Sequence, residues 1–363
     1  MKVVNAVVVP MIRMEIPSLV TWIRYCPASG KKGCQLLLSL DTKWEAADRA
    51  RVQDTFSRSA LALEDWTIEF LDCGMTVEES FYIKNPKQEI DLERFPYGLK
   101  SGPNKQFFTT LRLLQTQAQR IGAVLLMETD AFPLYDGWLE RLNQYMERTA
   151  SNALVAGPRY AGASKMSPHI SLHFNGNSVY CIGTADFYEF LDDWDHLLRE
   201  TLRIARHQAY DCVIPWFMNY RSIHPGVRKM SERISPTLGE RFTKRCFDLS
   251  ECLVNYGGEV ENANGYRLDV IRFLEKHPEA TIVHGKCFML DVHRLREAKA
   301  NAARKHLVNV AVDLVNSGQY EKAMRFGLTK ARIALAAAQN IDRLSEMDVS
   351  MIQRAWKGSQ ASA

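Results

Sequence analysis

Glu128 and Asp130 stand one residue apart, directly behind the apolar run Ala123-Val124-Leu125-Leu126-Met127. Five unbroken apolar residues read as a strand buried on both faces inside a largely parallel sheet. In extended backbone, residues i and i+2 face the same side, so the two carboxylates are expected to converge while Thr129 faces away. Neighbouring anions at a strand end cost desolvation and mutual repulsion, and a divalent cation removes both costs. Carboxylate oxygens suit hard cations, which complete their shells with water and substrate phosphate, so Mn²⁺ or Mg²⁺ is the expected cofactor. A bare Glu-x-Asp also arises as a turn cap beside a solvated acid. The buried strand before the triplet, and Pro133 to Leu139 after it, favour the metal reading.

Asn175-Gly176-Asn177 is the second chemical feature. Its amides offer donors and acceptors around a glycine that lets backbone approach a ligand, which suits recognition of several hydroxyls at once. A tight β-turn is the alternative. His169, His173, His207 and His224 show no zinc-site spacing, and the chain has no nucleophile elbow, Gly-rich phosphate loop or dinucleotide fingerprint.

The elements around these residues alternate. Val7-Val8-Val9-Pro10, Gln35 to Leu40 and Trp66 to Leu71 read as strands separated by helical stretches, the pattern of βαβ units. Residues 74–100 read as a surface excursion, and a helix follows from Ser101 to near Gly122. After Asp130, Asp136 is expected to cap a helix through Met146, and Ala153 to Ala156 to form a strand. Extended backbone resumes over residues 173–180. Helical pattern begins near residue 186 and is expected to break at Pro215 and again across 222–240, before a last strand at Ala280 to Val283. Beyond residue 292 the composition turns to Ala, Leu, Arg and Lys, so the expected division is an α/β domain over 1–291 and a helical extension over 292–363.

The 363 residues are 46% apolar and 24% charged, with 46 Lys and Arg against 42 Asp and Glu, a net charge of +4. This balance argues against a disordered chain and against a nucleic-acid binder. Eight dispersed cysteines without a CxxC pair, and no long apolar run or signal-like start, lead us to expect a soluble cytoplasmic protein with reduced thiols.

With these residues in view, the chain over roughly residues 3–290 resembles nucleotide-sugar-dependent glycosyltransferases of the GT-A fold. The segment LLMETDAFPLYDGWL is similar to their acidic metal motif, with Glu128 in place of the first aspartate, and HFNGNSVY is similar to a stretch of bacterial and viral transferases acting on surface polysaccharides. The resemblance implies a Rossmann-like, mixed, mostly parallel sheet flanked by helices. It implies Glu128, Asp130 and His284 at the metal, and Pro10, Asp41, Asn104, Lys105, Asn175, Gly176, Asn177 and Lys286 around the donor. Asp211, in Tyr210-Asp211-Cys212, resembles the aspartate that takes the acceptor's proton in inverting members, although Tyr210 departs from the usual acidic residue before it. Inversion is therefore favoured and retention stays open. Plain structural readings stand beside these: Asp41 as a strand-end cap, Asn104 and Asp211 as helix caps, His284 as a buried structural histidine.

The implied reaction transfers a sugar from a nucleoside diphosphate to a carbohydrate or lipid-linked glycan acceptor, in surface polysaccharide synthesis. Arg294, Arg296, Lys299, Arg304 and Lys305 read first as a solvated face, and secondly as a contact with anionic lipid at the inner face of the membrane. Two rivals remain: a sugar-1-phosphate nucleotidyltransferase, disfavoured because no Gly-rich basic loop follows Pro10, and an inactive scaffold of the same fold that grips a protein partner through its C-terminal helices.

Overall fold

The computed structural model describes residues 3–160, 173–174, 176–255 and 279–284. Two compact units divide the chain, Met1–Met289 and Leu290–Ala363. All described residues belong to the first, so the expected helical extension lies outside them.

The apolar runs become the centre of a seven-stranded sheet. Strands β1 (Val4–Met11), β2 (Gln35–Leu40), β3 (Thr67–Asp72) and β4 (Ala123–Leu126) are mutually parallel, in the spatial order β3-β2-β1-β4. Strands β6 (Val155–Gly157), β7 (Val179–Tyr180) and β8 (Cys246–Asp248) extend it as β4-β7-β6-β8, with β7 antiparallel to both of its neighbours. A mixed, mostly parallel α/β sheet results, as expected. The chain builds outward from β1 in one direction and then returns to place β4 on its other side. Such a reversal opens a crevice outside the carboxyl ends of the central strands, where ligands bind in open α/β sheets.

Helices cover the sheet through apolar faces. Helix α1 (Ile16–Tyr25), with Pro17 in its first turn, buries Leu19, Val20, Trp22 and Ile23, and α2 (Ala46–Ser57) buries Val52 and Phe56. Helix α3 (Ser101–Leu113) buries Phe107, Phe108 and Leu111, and the short α4 (Ala118–Ile121) ends at Gly122, whose φ of +75° suits glycine. Helix α5 (Trp138–Thr149) buries Trp138, Leu139, Leu142 and Met146. Its cap position is Gly137 rather than the expected Asp136, whose carboxylate instead accepts from the Ala28 N–H at 3.1 Å.

Sharing one core with α3 and α4 are α6 (Phe187–Leu202), α7 (Tyr210–Tyr220), α8 (Pro225–Ser231) and α9 (Pro236–Arg245). The expected break at Pro215 does not occur, because α7 runs through it. An interior proline costs about 3 kcal/mol. The same turn buries Val213, Ile214 and Phe217, and each such side chain returns roughly 1.5–3 kcal/mol. A smaller sheet completes the description: β10 (Ile282–His284) lies between β5 (Ala131–Pro133), antiparallel to it, and β9 (Leu253–Asn255), parallel to it.

Candidate active site

The carboxyl end of β4 delivers Glu128 and Asp130 to the crevice, by a route the alternation argument did not anticipate. The backbone does not stay extended. After Leu126 the Met127 N–H still donates to Val8 O at 2.8 Å, and then a turn forms in which the Ala131 N–H donates to Glu128 O at 3.0 Å. The turn, rather than i,i+2 alternation, brings the two carboxylates together, and it hands the chain to β5.

Because β5 pairs with β10, His284 lies in register with Ala131, one residue beyond Asp130. Its Nε2 is 3.3 Å from Glu128 Oε2 and 3.2 Å from Asp130 Oδ1. Its Nδ1 is 2.8 Å from Asn255 Oδ1 on β9. A carboxamide oxygen can only accept, so Nδ1 carries the proton toward Asn255 and Nε2 faces the carboxylates, the orientation in which histidine ligates metals. Desolvation of the buried ring favours its neutral form, but the hydrogen bonds to Asp130 and Glu128 and their charges outweigh it, pushing the imidazole pKa up to about 10. A proton thus occupies the place between the anions that a cation would take. One ligand atom from each of Glu128, Asp130 and His284 lies within 4.8 Å of the others. Two carboxylate oxygens and one imidazole nitrogen fit Mn²⁺ or Mg²⁺ and leave further coordination positions for phosphate.

Two predictions arise here. The folded pKa of His284 lies above its ordinary 6.5, so its stabilising contribution in chelator-treated protein is complete below pH 6.5 and is lost as pH rises toward about 10. Denaturation midpoints measured in EDTA should fall across that window, and His284→Asn should flatten the slope. Asn255→Ala removes the acceptor that orients the ring and should weaken Mn²⁺ binding by about 10–100-fold in calorimetric titration.

Asn177 holds Glu128 at both ends. Its Oδ1 accepts from the Glu128 N–H at 2.7 Å and its Nδ2 donates to Glu128 Oε2 at 3.3 Å. Asn177, expected to touch the donor sugar, is 1% exposed, and both ends of its carboxamide meet Glu128. Asn175 lies outside the described residues. Gly176 passes so close to Tyr210 that a Cβ there would sit 2.3 Å from the Tyr210 hydroxyl and 3.5 Å from Glu128 Oε1. The need for glycine is therefore steric.

Tyr210 is itself clamped. Its ring stacks on Phe107 at 3.9 Å, its N–H donates to Asn104 Oδ1 at 2.8 Å, and its carbonyl accepts from Trp194 Nε1 at 2.8 Å. Asp211 follows in the first turn of α7, whose cap position is Ala209. The Asp211 carboxylate is 17% exposed, with Oδ2 3.7 Å from His173 Nε2 and Oδ1 buried without a hydrogen-bond partner. Burial first, and then nearby charge, raises the pKa values of the Tyr180 and Tyr210 hydroxyls well above the ordinary range. Asp211 and Glu128 both contribute to the charge felt by each ring. The two carboxylates thus flank one pair of buried tyrosines.

Other expected donor residues are occupied by protein partners. Asp41, 4% exposed at the end of β2, accepts from the Thr42 N–H at 2.6 Å and from the Ser80 hydroxyl, as a strand-end cap does. Lys105 pairs with Glu79. Asn104 is fully buried and bridges three backbone groups, Tyr97 O and Gln208 O at 3.0 Å each and the Tyr210 N–H. It joins the site through Tyr210 and is not a helix cap. Pro10 is half-buried within β1 beside the crevice, paired with Ser39. Lys286 lies outside the described residues.

Glu15 was missed. It sits in the turn between β1 and α1, and its carboxyl pKa is raised by burial and then by the charges of Glu128, Asp130 and Asp41. Its place just past the first strand was the signal available for it.

The sequence matches no protein-family model and no curated protein. Among solved structures, the chain is similar to the apo bifunctional glycosyltransferase WbbM at 13% identity and a TM-score of 0.41, over 78% of this chain and 45% of that one, so it spans less than half of WbbM. It is similar to mouse xyloside xylosyltransferase 1 in apo form at 10% identity and a TM-score of 0.44, over 78% and 98% of the two chains. It is similar to the galactosyltransferase LgtC in complex with donor and acceptor sugar analogues at 10% identity and a TM-score of 0.42, over 80% and 94%. At these identities the functional reading rests on the strand order and on the residues gathered at its reversal.

Proposed function

We propose that the chain is a glycosyltransferase of the GT-A type that transfers a sugar from a nucleoside diphosphate to a carbohydrate acceptor with the help of Mn²⁺ or Mg²⁺. The observation carrying this reading is the convergence of Glu128, Asp130 and His284 outside the carboxyl ends of β1 and β4. Two carboxylates and an imidazole, held by Asn177 and Asn255, form a cation site at the place where an open α/β sheet admits a nucleotide.

In this reading Glu128, Asp130 and His284 hold the cation, which when bound offsets the charge developing on the departing diphosphate. Glu128 and Asp130 contribute fixed negative charge, and His284 gives up its proton when the site fills. Asp211 takes the proton of the acceptor hydroxyl as the bond to the anomeric carbon forms, which favours inversion. Gly176 leaves backbone close to the donor. The acceptor we propose is a growing surface glycan, free or lipid-linked, with residues 292–363 as a helical extension. No helix among the described residues is long and apolar enough to cross a membrane.

The test incubates the full chain with a panel of nucleoside-diphosphate sugars and glycan acceptors, with and without Mn²⁺, and follows nucleoside diphosphate release and the glycan product. Metal-dependent release together with product is expected. Failure of every donor to bind in the presence of Mn²⁺ would sink the reading in favour of a scaffold. Pyrophosphate formed from a sugar 1-phosphate and a nucleoside triphosphate would replace transfer with nucleotidyl transfer.

A further inference from the structure

A second set of metal-ligating side chains shares no residue with the first. His173 precedes β7, while Asp211 and Cys212 lie in the first turn of α7, and an imidazole nitrogen, a carboxylate oxygen and a sulfur lie within 4.8 Å of one another. His173 and Asp211 are 8% and 17% exposed, with Nε2 and Oδ2 3.7 Å apart. Asp211 Oδ1 is buried and receives no hydrogen bond. Burial holds Cys212 as a thiol, the Asp211 charge adds to this, and Lys100 acts in the opposite direction.

We infer that His173, Asp211 and Cys212 form a second cation site, selective for Zn²⁺ over the Mg²⁺ or Mn²⁺ of the first. The donor set makes the selection. A thiolate with an imidazole and one carboxylate suits a borderline metal, whereas carboxylates with water suit the hard ones. Zinc bonds of about 2.0–2.3 Å in tetrahedral geometry put ligand atoms roughly 3.3–3.6 Å apart, close to the 3.7 Å between His173 and Asp211.

Charge points the same way. A 2+ ion against one carboxylate and one thiolate gives a neutral assembly, which suits a mostly buried site. On binding, the Cys212 S–H bond breaks, its proton leaves to solvent, and the sulfur lone pair forms the bond to zinc without any redox change. The buried Asp211 oxygen gains a partner. Three protein donors leave a fourth position for water, as in open zinc sites. Resting on the role proposed above for Asp211, a filled site would also withdraw that carboxylate from proton transfer and inhibit the enzyme.

The test needs no activity. Full-length protein titrated with Co²⁺ should show one equivalent of binding with a sulfur-to-cobalt charge-transfer band in the near ultraviolet, which Zn²⁺ abolishes by displacement. Cys212→Ser and Cys212→Ala should lose the band, and His173→Gln should weaken Co²⁺ binding at least about tenfold, with far-ultraviolet circular dichroism confirming that each variant is folded. The double variant Glu128→Gln, Asp130→Asn should keep the band, which separates this site from the one on which the proposed transfer depends. Absence of the band in the wild type, its persistence without Cys212, or its loss in the double variant would each overturn the inference.

Discussion

Asp130→Ala is expected to remove Mn²⁺ binding at the crevice and to lower sugar transfer by at least about 100-fold, beyond the range typical for supporting residues around a metal. The reason lies in what surrounds the carboxylate. Asp130 Oδ1 is 3.2 Å from His284 Nε2, which is also 3.3 Å from Glu128, so deleting Asp130 takes away one of the three donors that the proposed cation site has among the described residues. The field that attracts the cation is weakened with it, although Glu15 and Glu128 remain.

The stability effect should have a different character. Without metal, the substitution relieves repulsion with Glu128 but strips His284 of a partner for its proton, so the net change in melting temperature should be small. Binding to the native state alone stabilises a protein, so Mn²⁺ should raise the melting temperature of the wild type and leave that of Asp130→Ala where it was. Thermal melts with and without Mn²⁺ and with EDTA, set beside diphosphate release, check both parts. A variant that still gains stability from Mn²⁺ and still turns over would show that Asp130 is not a metal ligand.

Asn104→Ala is expected to destabilise the fold by about 3–5 kcal/mol, since each buried polar group left unpaired costs about 1–3 kcal/mol. The Asn104 side chain is fully buried and serves Tyr97 O, Gln208 O and the Tyr210 N–H together. Alanine leaves the buried Gln208 carbonyl and Tyr210 amide, and the part-buried Tyr97 carbonyl, without this partner. Asn104→Asp discriminates between sources of the loss: it keeps the acceptor for Tyr210 but replaces the donor with an oxygen facing two carbonyls, so it should be at least as damaging. Denaturant midpoints at unchanged slope measure the effect. A loss below about 1 kcal/mol for alanine would mean that the three backbone groups find other partners.

The consequence reaches the chemistry. Asn104 fixes Tyr210, the Tyr210 hydroxyl abuts Gly176, and Gly176 adjoins Asn177, which holds Glu128. A side chain in α3 thereby sets both the first turn of α7, with Asp211, and the loop that holds Glu128.

How much of this was legible in one dimension follows from the range of each interaction. The central strands were legible because a buried parallel strand must be apolar throughout, and Val4–Met11, Gln35–Leu40 and Ala123–Leu126 are nearly so. Glu128 and Asp130 were legible because two acids directly behind such a strand are costly without a purpose. Pro215 misled because its local cost was weighed without the packing of Val213, Ile214 and Phe217. Asp136 misled because Gly137, with φ of +77°, enters the helix better than the residue before it.

Sequence by itself determined the alternation of strands and helices and the presence of paired acids at a strand's end, because both depend on residues near one another along the chain. Tertiary structure alone decided that a turn, not extended backbone, aims those acids, that Asn255 meets His284, that Asn177 meets Glu128, and that Asn104 meets Tyr210. The partners in those pairs are 29 residues apart for His284 and Asn255, 49 for Asn177 and Glu128, and 106 for Asn104 and Tyr210. Nothing local in a carboxamide tells which distant group it will meet, since that choice is made by the packing of the sheet and its helices.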